Sequence, residues 1–267
     1  MNNTNSVSIT QIAATVADVM GVEPPLQAEE KIDWLSALLK SYANGKVDRT
    51  VLYNPDAIAL WLFQKYTADF APVLKHTQVG VPLKTVFPSV TPVCFASMYT
   101  GTQPEIHGIA KYEKPVVLID SLFDTLIRAG KRVAIVAVKG SSMAKIYADK
   151  ALDYYIETYD EEVCEKAVEL IEKDEYDFIS VYTQSYDDAM HLTGTESEVA
   201  LGAMKNQISI FEKLALAVEK QANNHSTLLG FVTDHGVHTN DKGGGTHGSD
   251  IPQDMNIMHF YGMKAKI

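Results

Sequence analysis

Three short runs in the chain, RVAIVAV (132–138), YDFISVYT (176–183) and STLLGFVT (226–233), are apolar along most of their length and not only at every second position. A strand with one face in water alternates apolar and polar residues, whereas a strand covered on both faces does not. Between these runs lie EEVCEKAVELIEKD and EVALGAMKNQISIFEKLALAVEKQ, whose apolar residues recur at helical spacing. Doubly covered strands separated by helices predict an α/β fold, a three-layer sandwich around a mostly parallel central sheet. RTVLYN, VGVPLKTVF, DYYIE and the closing MNIMHFYG (255–262) supply the further extended segments, and AIALWLFQKY reads as helical.

Two helices precede these elements. SITQIAATVADVMGVEPP has Ser8 or Thr10 as a cap and Gly21, Pro24 and Pro25 as a stop; EEKIDWLSALLKSYAN follows and ends at Gly45. Trp34 and Trp61 have helical surroundings and are expected in the core. No proline- or serine-rich linker divides the chain. One domain over 1–267 is expected, with N-terminal helices over 1–48 and a core over 49–267.

The net charge of -11 argues against binding to nucleic acid polymers or anionic membranes, since no basic stripe offsets it. An acidic chain that handles an anionic substrate needs a local source of positive charge, which a metal cluster supplies. Two cysteines make no disulfide framework, the N-terminus has no apolar leader, and no apolar stretch reaches membrane-spanning length. These features point to a cytoplasmic protein.

The chemistry collects behind the strands. RTVLYN is followed by Asp56, YDFISVYT by Asp187 and STLLGFVT by Asp234. Ligands of open parallel sheets bind beyond the carboxyl ends of the strands, so the three carboxylates are expected to converge there. Asp234 adjoins His235, Asp187 and His191 lie four apart on one face of a helical turn, and His247 sits in GTHG between glycines. Three Asp and three His suit zinc, with manganese or iron as other occupants. Six protein ligands exceed what one catalytic ion takes but serve two, three apiece; paired ions clamp both oxygens of an in-line displacement. In PSVTPVCFASMYTG, Thr91 precedes Pro92 and is expected to cap a helix that runs to Thr100 and stops at Gly101. A hydroxyl there sits at the positive end of a helix, where a metal would make it a nucleophile.

These segments resemble the type I phosphodiesterase and nucleotide pyrophosphatase group of the alkaline phosphatase superfamily. FPSVTPVCFASMYTGTQPEIHGI is similar to its nucleophile segment, YTQSYDDAMHLTG to its Y-x-x-x-x-D-x-x-x-H-x-x-G segment, TDHG to its D-H-G, and GTHGSDIPQDMNIMHFYG to its closing T-H-G segment. The resemblance implies Thr91 as nucleophile. It also implies one zinc on Asp187, His191 and His247, and a second on Asp56, Asp234 and His235. Cys94 stands near the place of an Asn with which the family's diesterases bind the phosphoryl oxygen; it is read as lining the substrate site, with an activated thiol nucleophile as the alternative. Lys139, followed by Ser141 and Ser142 behind RVAIVAV, is a further substrate-binding candidate. His107 is expected to brace a turn, and His238 and Asp241 to be solvated. The first helix resembles one that usually closes such folds, which suggests a circular permutation without a large cap. The expected activity is metal-dependent hydrolysis of small phosphate esters or nucleotide-like diesters. A phosphomonoesterase or phosphonate hydrolase is the alternative, and an inactive metal-stabilised binding protein a further one.

Overall fold

The computed structural model describes residues 4–266. Its strands are β1 (Arg49–Pro55), β2 (Val79–Lys84), β3 (Val133–Val138), β4 (Asp153–Glu157), β5 (Phe178–Thr183), β6 (Thr227–Val232), the two-residue β7 (His238–Thr239) and β8 (Gly245–Thr246), and β9 (Asn256–Lys264). Seven form one sheet in the order β2-β9-β6-β1-β5-β3-β4, while β7 and β8 pair as a separate hairpin. From β6 to β4 the strands run parallel; β9 is antiparallel to both its neighbours. Pro82 lies in β2, an edge strand, where a missing N–H donor is tolerated.

The helices are α1 (Ile12–Met20), α2 (Asp33–Tyr42), α3 (Leu60–Lys65), α4 (Ala71–His76), α5 (Thr91–Thr100), α6 (Pro104–His107), α7 (Leu122–Arg128), α8 (Ser142–Ile146), α9 (Asp160–Lys173), α10 (Ser185–Thr193), α11 (Glu198–Lys220) and α12 (Pro252–Met255). They divide into two layers because successive strand residues point to opposite faces. Leu52, Ile135, Ala137 and Phe178 pack in one core with residues of α1, α2, α5, α7 and α8. Val51, Tyr53, Ala134, Val136, Ile179 and Val181 pack in the other with α3, α4, α9, α10 and α11. This is the three-layer α/β architecture with a mostly parallel central sheet.

Local signals explain most boundaries. Ser8, not Thr10, caps the first helical turn, and the Gln11 side chain returns the bond to the Ser8 N–H. Gly21, at φ 70°, ends α1. The helix expected over AIALWLFQKY begins only at Leu60, because Ala57 takes a left-handed φ of 67°. That conformation aims the Ala57 N–H at Asp234 Oδ1, 3.1 Å away, so a demand of the site overrides helix propensity. Trp34 departs from expectation: it is 52% exposed on α2, on the side turned from the Leu35 and Leu39 stripe. Trp61 is partly buried and donates its indole N–H to the Val237 carbonyl at 2.7 Å. Among the described residues no helix is long and apolar enough to cross a membrane.

Candidate metal centre and nucleophile

The three carboxylates follow three adjacent parallel strands. Asp56 directly follows the central β1, Asp234 comes two residues after β6, and Asp187 lies in the first turn of α10 behind β5. Each is anchored by backbone. Asp56 donates its N–H to the Thr183 carbonyl at 3.0 Å, continuing the register of β1 with β5. Asp160, at the start of α9, accepts from the N–H groups of Gln184 (3.1 Å) and Ser185 (3.0 Å), which holds the first turn of α10. Gly236 keeps the loop that carries Asp234 and His235 pressed on its neighbours: a Cβ there would lie 2.0 Å from the Gln253 carbonyl oxygen.

The histidines share one device. His191 Nδ1 lies 3.1 Å from the Gly245 carbonyl, His235 Nδ1 3.1 Å from that of Gly236, and His247 Nδ1 2.9 Å from that of Ser89. A carbonyl only accepts, so each Nδ1 carries the proton and each Nε2 presents a lone pair. Those lone pairs face the carboxylates. His191 and His247 Nε2 each lie 3.5 Å from Asp187 Oδ1; His235 Nε2 lies 3.4 Å from Asp56 Oδ1 and 3.3 Å from Asp234 Oδ2. The ligating atoms of Asp187, His191 and His247 lie within 4.8 Å of one another, as do those of Asp56, Asp187 and His235. Asp187 therefore faces both groups, and Asp234 joins the second through His235.

A cluster of this kind is costly without a cation. Burial raises all three carboxyls, Asp187 and Asp234 to about 7; for Asp56 the repulsion of Asp234 and Asp187 adds to it. Burial likewise drops His235 to about 3 and His247 to about 2, which keeps the imidazoles neutral and able to ligate. Asp56 Oδ1, Asp187 Oδ1 and Asp234 Oδ2 are buried with no hydrogen-bond partner among the described residues. Unpartnered carboxylate oxygens opposite imidazole lone pairs fit divalent cations, which invert this local electrostatics.

Thr91 is buried beside them, its Oγ1 3.4 Å from Asp56 Oδ2 and 3.3 Å from His235 Nε2. It is the first helical residue, not the cap. The cap position belongs to the extended Val90, whose carbonyl accepts from the N–H groups of Val93 and Cys94, both at 3.0 Å. Pro92 fits the second position as readily as the first, since no N–H of the opening turn needs an intrahelical partner. The Thr91 hydroxyl is consequently not consumed by capping and faces the carboxylates.

A cleft of about 100 Å³ opens over Thr91, Asp56 and Asp187, walled by Tyr112, Lys114, Lys139, Ser142 and Gln184. Lys139 lines this cleft, and Ser141 is a helix cap, accepting from the Ala144 N–H. Cys94 is not in the wall. It lies nearly a full helical turn beyond Thr91, fully buried, its thiol beside Thr85 and the Val86 backbone; burial pushes that thiol up and makes it a poor nucleophile. His107 braces the turn after α5, between the Ser97 hydroxyl and the Ile109 N–H. His238 is paired with the buried Asp254 at 2.8 Å instead of being solvated, and Asp241 is exposed.

Sequence reasoning missed Tyr182, whose hydroxyl donates to Asp56 Oδ2. It is the leading Tyr of the Y-x-x-x-x-D segment, but that motif by itself does not say that the hydroxyl meets Asp56. Tyr112 and Lys114 carried no signal, because they lie in an irregular segment. A larger apolar groove between α9 and α11, lined by Cys164, Val168, Leu216 and Ala217, contains none of the site residues.

No curated protein matches the chain. Among solved structures, the murine ectonucleotide pyrophosphatase/phosphodiesterase 5 in complex with AMP is similar over 73% of this chain and 59% of its own, at 19% identity and a TM-score of 0.57. Phosphonoacetate hydrolase from Sinorhizobium meliloti 1021 with phosphonoacetate matches over 72% and 57%, at 15% identity and a TM-score of 0.54. A 2-O GAG sulfatase matches over 82% and 64%, at 10% identity and a TM-score of 0.58. The chain thus spans less than two thirds of the length of each, and these likenesses establish the fold. The family model for type I phosphodiesterase / nucleotide pyrophosphatase matches residues 53–264, from the middle of β1 to the end of β9 and across every site residue named above. The chain belongs to the type I phosphodiesterase / nucleotide pyrophosphatase family.

Proposed function

We propose that the chain is a metal-dependent hydrolase of phosphate esters, with small or nucleotide-like diesters as its substrate class and Thr91 as its nucleophile. One observation carries this reading: three imidazole lone pairs face three unpartnered carboxylate oxygens, and the Thr91 hydroxyl lies 3.3 Å from one of those imidazole nitrogens, His235 Nε2. Asp187, His191 and His247 would hold one divalent ion, and Asp56, Asp234 and His235 the other; zinc suits this donor set, with manganese as the alternative. When bound, such ions lower the pKa of an adjacent hydroxyl and neutralise charge on phosphoryl oxygens.

The chain's own residues then have defined tasks. Thr91 Oγ1, after losing its proton, attacks phosphorus in line. The new O–P bond forms as one ester P–O bond breaks and that alcohol departs with a proton, leaving an alkylphosphoryl- or nucleotidyl-threonine from a diester, or a phosphothreonine from a monoester. Water hydrolyses that ester and restores Thr91. The first turn of α5 adds partial positive charge beside the reacting group. Tyr182 fixes Asp56 by donating to Oδ2, which keeps Oδ1 for a metal. Hydrolysis of monoesters or phosphonates is the second reading. It is favoured by the small cleft and by its two lysines, which would balance an additional negative charge.

Metal-reconstituted protein assayed on bis- and mono-p-nitrophenyl phosphate tests the proposal. Turnover of the bis-ester above the mono-ester supports the diesterase reading, and the reverse order the second one. Thr91→Ala is expected to lower either rate at least about a thousandfold while binding metal normally. Full activity in that variant rules out the nucleophile, and metal binding without any turnover by the wild type points to a binding protein.

A further inference from the structure

We propose that Lys114 and Lys139 form a second anion subsite, so that the preferred substrate carries a carboxylate or phosphate group in addition to the ester cleaved at Thr91. The inference deepens the hydrolase reading and rests on it. Both lysines line the cleft that has Asp56 and Thr91 at its base, Lys114 from the irregular segment after α6 and Lys139 from the loop after β3. Lys114 Nζ donates to the Gly140 carbonyl at 3.0 Å, which joins the two loops into one wall and leaves two of its N–H donors for a ligand.

Neither lysine forms an ion pair among the described residues, although acidic residues exceed basic ones by eleven. Lysines that merely balanced the cluster would be expected to contact its carboxylates. Those carboxylates instead face the imidazole Nε2 atoms. Asp188, the acid on the cleft rim, accepts from Gln184 Nε2 at 3.0 Å. Burial and the neighbouring Lys145 hold Lys114 below the usual lysine range, against the pull of Asp56 and Asp188. Both ammonium groups of this wall therefore stand without a carboxylate partner, and an anionic group would meet them through charge-assisted hydrogen bonds.

The test uses p-nitrophenyl phosphodiesters whose second alcohol ends in a methyl, a carboxylate or a phosphate group, so the leaving group stays constant. With metal-loaded wild type, kcat/KM for at least one charged ester should exceed that of the methyl ester tenfold or more, and the advantage should shrink as salt rises. The Lys114→Gln, Lys139→Gln double variant should reduce the charged-to-methyl ratio to near one, while Lys114→Arg should retain most of it. Melting temperatures of both variants check folding. The charged arms identify which anion is accepted. Turnover of all three esters without preference overturns the subsite but leaves the hydrolase standing, as does a preference that survives the double variant. Turnover of none, with any metal, overturns the subsite and the diesterase reading together.

Discussion

Replacing Asp187 by Asn separates what the metal centre costs the fold from what a metal returns to it. Asp187 is 15% exposed and faces His191 and His247 at 3.5 Å. Burial lifts its carboxyl from 3.8 to about 7. A raised carboxyl keeps its proton in the folded protein between pH 4 and 7 while the unfolded chain has lost it. Metal-free stability contributed by this group therefore falls as pH rises through that window, and the penalty is complete above pH 7. Its size is up to about 4 kcal/mol at 1.36 kcal/mol per pKa unit, or about 8 °C in melting temperature at about 2 °C per kcal/mol for a chain of this length. Asp187→Asn removes the ionisable group and keeps the shape. After chelation at pH 8, the variant should melt several degrees above the wild type. Metal at a hundred times its Kd should then raise the wild type by about 2.7 kcal/mol, about 5 °C, and the variant far less. Scanning calorimetry with and without zinc measures both shifts. A metal-free variant that melts below the wild type at pH 8, or an equal response of the two proteins to metal, would refute the reasoning.

Two further outcomes are expected. Because burial raises Asp187 and Asp234 to about 7 while His235 and His247 stay neutral down to about 3, a cation binding between pH 5 and 7 displaces protons from these two carboxyls and none from these two imidazoles. Apparent affinity in chelator competition should fall by up to about tenfold per pH unit for each proton displaced, and a flat profile would contradict the electrostatics. Gly245→Ala would set a Cβ 2.4 Å from Met190 Sδ and 2.6 Å from the Met190 carbonyl, displacing the carbonyl that orients His191. Metal affinity should drop about 10- to 100-fold, read by the same competition.

The sequence was legible wherever short-range pattern carries the information. Continuous apolar runs marked β3, β5 and β6 to within two residues, and Asp56, Asp187 and Asp234 stood out because each follows such a run. Sheet order was not legible. That β1 lies between β5 and β6, which brings the three carboxylates together, depends on pairing between segments more than a hundred residues apart. The carbonyls that set each histidine tautomer were equally hidden, since backbone acceptors leave no trace in residue type. The cap of α5 was misplaced by one residue because proline suits either opening position. Lys114 lies in an irregular stretch with no periodicity to read. One domain, with the N-terminal helices circularly permuted into its outer layer, remains our proposal. It is supported by the packing of α1 and α2 in one core with Ile257 and Tyr261 of β9, and by a family match that begins only at residue 53.

Anomalous diffraction from crystals of the zinc-loaded protein tests the central claim most directly. The account predicts two peaks per chain. One should be ligated by Asp187, His191 and His247 and the other by Asp56, Asp234 and His235, with Thr91 Oγ1 beside the second. A single peak, or zinc bound away from these six side chains, would contradict it.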